Sequence, residues 1–192
     1  MFEGIVLAAG RSHRAGTFKP AHLHAGRPLL LHAAGCLLPW CTRVVVVGGY
    51  RHQEVAALLA GRRRLALVRN EAYDRGMFSS VQAGVRALDP ETTGFFVLPA
   101  DCPLVGTEVP GEMIRAFLDH GGRRPVVPEH EGRGGHPALL PGAARALVLA
   151  AAPPATLRDV LRRLSPVRLP VDQPAVLMDL DRGEDLAGLA KG

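Results

Sequence analysis

The chain has 192 residues, 47% of them hydrophobic, and a formal charge of +5 from 23 basic and 18 acidic side chains. That length and apolar content suit one α/β domain over residues 1–192 and exclude a disordered chain. The basic excess is mostly arginine, which binds phosphate oxygens in a bidentate fork. With no long Lys/Arg block, and only two tyrosines and one tryptophan to stack on bases, nucleic acid is not the expected partner.

In chain order, residues 4–9 (Gly-Ile-Val-Leu-Ala-Ala) read as a short buried strand and 28–38 as a helix. Strands follow at 43–48, 65–68 and 94–98, with helices at 53–60 and 79–88. The Arg62-Arg63-Arg64 run reads as a solvated stretch between helix and strand. Short apolar strands alternating with amphipathic helices predict a Rossmann-like α/β sandwich of three layers, with a mostly parallel central sheet. The second half is less regular: a helix over 112–120, a strand over 125–128, a polar glycine-rich loop over 129–136, and helices over 143–151 and 157–164. Residues 175–181 read as a strand turning into a last helix near 184–189.

Three cysteines, at 36, 41 and 102, form neither a disulfide framework nor a CxxC zinc pair, and suit a reducing cytoplasm. No apolar run reaches the ~18 residues of a membrane span. The expected location is cytoplasmic, with no membrane contact. The spacing of His13, His22, His24 and His32 does not fit a zinc site.

In a doubly wound sheet the ligand lies beyond the carboxyl ends of the strands. The first such loop is Leu7-Ala8-Ala9-Gly10-Arg11-Ser12-His13-Arg14-Ala15-Gly16-Thr17-Phe18-Lys19-Pro20. Glycines at both ends let backbone N–H groups approach an anion, and Arg11, Arg14 and Lys19 crowd three cations together. A triphosphate would neutralise them. Gly10 and Gly16 have five residues between them and no Lys-Ser/Thr follows, which excludes a P-loop, and two glycines are too few for a dinucleotide fingerprint.

This loop resembles the signature loop of the molybdenum cofactor nucleotidyltransferases, within the wider superfamily of nucleotide-diphospho-sugar transferases. Its Leu-Ala-Ala-Gly start is closer to the cytidylyltransferase branch than to the guanylyltransferase branch. The resemblance implies that Arg11, Ser12, Arg14 and Gly16 hold phosphates. It further implies that Lys19 stabilises charge on the α-phosphate and that the Leu7, Ala8, Ala9 and Gly10 backbone meets the base.

Three further stretches match the same family. In Asn70-Glu71-Ala72-Tyr73-Asp74-Arg75-Gly76-Met77-Phe78-Ser79-Ser80, Asn70 offers donor and acceptor together, as base or ribose recognition needs. The two serines stand at a helix start, where capping is their ordinary role. The family implies nucleotide contacts from Asn70, Gly76 and Ser80. In Pro99-Ala100-Asp101-Cys102, an aspartate directly after a buried strand is placed to bind Mg²⁺, which takes one or two carboxylates plus phosphate oxygens. The cytidylyltransferases usually carry glutamine where Cys102 stands. Gly134-Gly135-His136-Pro137 resembles the family's Gly-His-Pro loop, which implies His136 on the acceptor side.

Near the end, Asp179-Leu180-Asp181-Arg182-Gly183-Glu184-Asp185 resembles the family's Asp-Ile-Asp-Thr-Pro-Glu-Asp. Alternate strand residues share a face, so Asp179 and Asp181 are expected to join Asp101 around the metal. Arg182-Gly183 departs from the family's Thr-Pro.

The resemblance spans residues 4–189 and implies Mg²⁺-dependent transfer of CMP from CTP to molybdopterin, with release of pyrophosphate. Arg14, Lys19 and Asp101 are the expected catalytic residues, and a recipient molybdoenzyme is a possible partner. GTP as donor, or a sugar phosphate or polyol phosphate as acceptor, would use the same loop. A non-catalytic carrier of the molybdenum cofactor is the alternative of another class.

Overall fold

The apolar runs form the strands of one sheet in the computed structural model, which describes residues 1–11 and 18–180. The chain opens with β1 (Phe2–Ala8), a 3₁₀ turn over Lys19–Ala21, and a hairpin of β2 (Leu23–His24) and β3 (Arg27–Pro28). Then come α1 (Leu29–Leu37), β4 (Val44–Gly48), α2 (His52–Leu59), β5 (Leu65–Arg69), α3 (Met77–Arg86) and β6 (Gly94–Pro99). The second half supplies α4 (Val109–Asp119), β7 (Val126–His130), β8 (Arg133–Gly134), β9 (Ala138–Pro141), α5 (Ala144–Ala150), α6 (Leu157–Arg163) and β10 (Val167–Pro170).

The strand order is β10-β7-β9-β6-β1-β4-β5, with β8 hydrogen-bonded to β7. The β6-β1-β4-β5 half is parallel throughout, and β9 runs antiparallel between β6 and β7. This is the expected three-layer sandwich with a mostly parallel sheet. Alternation across the pleat divides the core. Val6, Val44, Val46, Phe96 and Leu98 meet α1, α2 and α4 on one face. Ile5, Leu7, Val45, Val47, Phe95 and Val97 meet α3, α5 and α6 on the other. Every residue of β4 and β6 is buried because both faces are covered, whereas β5 is only half-buried because it forms the sheet edge. Truncating Phe96, which is 0% exposed, would cost about 3–5 kcal/mol.

Several expectations are corrected. The 129–136 loop is the β7–β8 hairpin, and β2, β3, β9 and β10 are strands that the reading of periodicity passes over. They are two to four residues long, too short to express a period. The expected strand at 175–181 is instead a 3₁₀ turn over Pro174–Leu177, followed by irregular backbone. Proline at the first turn sets its φ for a helical start and removes a ladder donor. Arg64 is not merely solvated: its guanidinium donates to the carbonyls of Leu38, Cys41 and Thr42, tying β5 to the end of α1. Residues 181–192, with the expected last helix, lie outside the described residues. No helix among the described residues is long and apolar enough to cross a membrane.

Candidate active site

The carboxyl ends of β1 and β6 bring Lys19 and Asp101 together. Beyond the strand ends, the Ala100 N–H donates to the Leu7 carbonyl at 3.0 Å, which seats Asp101 beside the first loop. Lys19 leads the 3₁₀ turn and is only 7% exposed. Its Nζ lies 3.4 Å from Asp101 Oδ2. A buried ammonium is tolerated only when paired, because its desolvation costs several kcal/mol. The Asp101 side chain is 26% exposed and keeps an open side for a ligand.

Around this pair lies a cavity of about 450 Å³, lined by the Leu7–Gly10 segment, Lys19, Tyr73, Gly76, Met77, Ser80 and Asp101 among others. Arg11 sits at the end of β1, its guanidinium 5.7 Å from the Tyr50 ring and 5.5 Å from the Tyr73 ring. Two aromatic faces hold the cation by their quadrupoles. Gly49 permits this clasp, since a Cβ there would stand 2.6 Å from Tyr73 Cβ and 2.9 Å from Ala9 Cβ. Ser12, Arg14 and Gly16, expected to hold phosphates, lie outside the described residues, as does Asp181.

Asn70 is held within its own turn and also lines a neighbouring, larger cavity. It is 6% exposed. Its Nδ2 donates to Ser79 Oγ at 2.8 Å and Ser80 Oγ at 3.0 Å, and its Oδ1 accepts from the Ala72 N–H at 3.0 Å. Both ends of the amide are therefore used in shaping the 70–80 turn, and Asn70 does not line the smaller cavity. Nor do the serines cap α3. The helix starts at Met77, after Gly76 with φ of +97°, and no side chain caps it. Ser79 Oγ instead reaches the carbonyls of Ala72 and Gly76. Ser80, 4% exposed, presents its hydroxyl at the wall of the smaller cavity.

A second cavity of about 1030 Å³ adjoins the first. Gly76 and Met77 line both, and Met77 is 63% exposed at their junction. His136 lines the larger one. Its backbone N–H donates to the Val176 carbonyl at 2.8 Å, and its buried ring Nδ1 has no hydrogen-bond partner among the described residues. Burial pushes the imidazole below its ordinary pKa of 6.5, against the pull of the Asp101 and Asp179 charges. The neutral ring is thus the resting form near pH 7.

The strand argument for Asp179 fails, because the backbone there is irregular. Proximity is achieved otherwise: the Leu180 N–H donates to the Asp101 carbonyl at 2.9 Å, which carries exposed Asp179 to the neighbourhood of Asp101 and His136. A partly open carboxylate with a second one nearby fits a divalent cation that draws its other ligands from phosphate and water. Among the described residues, no group of three or more His, Cys, Asp or Glu could hold a metal without such help. Cys102 is 1% exposed and packs in the core, so it is in no position to act as a nucleophile. Burial holds the thiols of Cys36 and Cys41 at a pKa of about 12.

Sequence reading missed Tyr50, Tyr73 and Met77. The available signal was their position: Tyr50 follows the second strand's terminal glycines, and the other two sit within a stretch already matched.

This is the architecture of a nucleotidyltransferase. The chain belongs to the MobA-like NTP transferase domain family, whose model matches residues 4–167. The molybdenum cofactor cytidylyltransferase of Escherichia coli K12 is 24% identical over 181 residues, covering 94% of this chain and 91% of that protein. Among solved structures, Rv0371c of Mycobacterium tuberculosis superposes with a TM-score of 0.83 at 22% identity, covering 100% of this chain and 98% of that one. A manganese complex of the same mycobacterial protein gives 0.77 at 18% identity, over 100% and 98% of the two chains. Molybdopterin-guanine dinucleotide biosynthesis protein A of Archaeoglobus fulgidus gives 0.72 at 19% identity, over 98% and 97%.

Proposed function

We propose that this nucleotidyltransferase transfers CMP from CTP to molybdopterin and releases pyrophosphate. The observation that carries the reading is the Lys19–Asp101 pair in the floor of a small cavity that opens, at Gly76 and Met77, into a larger one. A nucleotide in the first and a phosphorylated acceptor in the second would meet at that pair. The acceptor's phosphate oxygen attacks the α-phosphorus in line with departing pyrophosphate. A terminal phosphate is already ionised, so little general base is needed, and the work is positioning and charge neutralisation.

In this reading Lys19, with Arg14, carries the charge that grows on the α-phosphate. The Leu7–Gly10 backbone and Ser80 meet the base and ribose, while Arg11, Ser12 and Gly16 hold the β- and γ-phosphates. Asn70 and Gly76 act by holding the 70–80 turn. His136 faces the acceptor. Mg²⁺ would be held by Asp101 with Asp179 or Asp181, and when bound it supplies Lewis-acid neutralisation of the triphosphate. The manganese complex of the mycobacterial relative supports a divalent cation at this fold. The similarity to the E. coli cytidylyltransferase supports CTP and molybdopterin.

Pyrophosphate release tests the reading directly, measured with CTP, GTP, ATP and UTP, each with Mg²⁺ and either molybdopterin or methylerythritol phosphate. CTP with molybdopterin is expected to exceed every other pairing. Turnover with GTP would shift the donor. Turnover with the polyol phosphate would shift the acceptor. Nucleotide binding without turnover on either acceptor would favour a carrier.

A further inference from the structure

The larger cavity carries a charge pattern that the transfer chemistry does not use. Arg75, Arg86, Arg158, Arg162 and Arg168 line it, and its described lining contains no aspartate or glutamate. They converge from separate elements: the turn before α3, the last residue of α3, the face of α6 and strand β10. Among the described residues, Arg162 and Arg168 make long ion pairs outside the lining, at 4.0 Å to Asp159 and 3.9 Å to Glu129. Asp159 is already engaged in the capping box with Thr156. Arg168 lies over Gly134, where a Cβ would stand 1.9 Å from its NH1. The absent side chain at Gly134 therefore leaves room for a guanidinium.

Between these cations the wall is apolar, with Phe78, Val127, Leu157 and Leu161. At about 1030 Å³, the cavity stands at the top of the ~300–1,000 Å³ range for small-molecule sites. These arginines are solvent-exposed and their acidic neighbours Asp159 and Glu129 lie outside the lining, so an anion entering the cavity can accept paired guanidinium hydrogen bonds from them. A phosphate directed at Lys19 and Asp101 would satisfy none of the α6 arginines, because α6 lines only the larger cavity.

We propose that the larger cavity takes an acceptor that is anionic at both ends. Its phosphate points past His136 toward Lys19 and Asp101, its apolar body lies against Phe78 and Leu161, and its second anionic group is held by Arg158 and Arg162 with Arg86. The proposal rests on the transfer reading for the direction of the first phosphate. It makes the α6 arginines specificity residues that favour a bulky dianionic acceptor over a compact polyol phosphate.

The test is calorimetric titration of the whole chain with two probes, 6-phosphonooxy-2-naphthoate (anionic at both ends) and 2-naphthyl phosphate (anionic at one). The two-ended probe is expected to bind at least ~10-fold tighter, an advantage that falls below ~2-fold in R158A/R162A and shrinks as salt is raised. Arg86→Ala, on a different helix, is expected to reduce the same advantage and carries the test should the double variant fail to melt cooperatively. Equal affinity of the two probes for the wild-type chain overturns the proposal, as does an undiminished advantage in the variants. No CTP or molybdopterin enters this experiment, so it fails or succeeds independently of CMP transfer.

Discussion

The two cavities of the cleft are built on opposite logics. The smaller one is made of strand ends and backbone, with one buried cation held against one carboxylate. The larger is made of side chains from the turn before α3, α3, α6 and the β7–β10 edge, with five arginines and no acid among its described lining. The first is suited, on the proposed reading, to a nucleotide. The second is suited to a partner recognised by size and charge. On the proposed reading, affinity for the nucleotide and choice of the acceptor reside in different parts of the sheet.

Breaking the smaller cavity should have the largest effect. Lys19→Ala and Asp101→Ala are each expected to lower kcat by at least ~10²-fold, as for loss of one preorganised charge-stabilising group. Pyrophosphate release under saturating substrates measures it. Near-normal rates in both variants would remove the pair from the chemistry.

Asn70→Ala comes next. It deletes a side chain with three hydrogen-bond partners, buried Ser80 and half-buried Ser79 and Ala72, and should destabilise the chain by about 1–3 kcal/mol. Chemical denaturation reads the stability. A variant that loses nucleotide affinity with unchanged stability would instead make Asn70 a direct contact.

The Arg11 clasp sharpens the comparison, since it belongs to the nucleotide side alone. Tyr73→Leu should raise KM for the nucleotide by about 3- to 10-fold, in keeping with a lost cation–π contact, and Tyr73→Phe should not. KM for the acceptor serves as the control and should stay constant in both.

His136 reports on the acceptor side through pH. Its folded pKa lies below the ordinary 6.5, so the unfolded state binds more protons once pH falls toward that value. Stability is then present above pH 6.5 and is lost as pH falls through the folded pKa. Melting temperature against pH should fall more steeply on the acid side for the wild-type chain than for His136→Gln. Parallel curves would contradict the burial argument. The smallest effect is reserved for Cys102→Ala. With the sulfur buried in the core, turnover should stay within about 2–3-fold and stability should drop by about 1 kcal/mol.

Sequence legibility divides along the same line as the cavities. The β1, β4 and β6 runs announced themselves because both sheet faces are covered, so their residues are apolar without interruption. Asp101 stood out because it closely follows such a strand, and Lys19, well past the end of β1, only because its loop resembles the family's. The acceptor side was less legible. Arg158 and Arg162 look like any solvated helix face, and only the folded chain, which sets α6 around one cavity with Val127 and Arg168, turns that face toward it. Asn70 was singled out for its position after a strand, but its internal hydrogen bonds depend on the turn geometry at Gly76, which composition does not reveal. Asp179 shows the opposite case: the strand invoked for it does not exist, yet the Leu180–Asp101 backbone hydrogen bond carries it to the neighbourhood of Asp101.

The most direct measurement follows α-phosphorus-labelled CTP in the presence of Mg²⁺ and molybdopterin, for the wild-type chain and Asp101→Ala. Label appearing in a cytidylylated acceptor with stoichiometric pyrophosphate, and lost in the variant, is the predicted result. Tight binding of both ligands with no label transferred to any phosphorylated acceptor would contradict it.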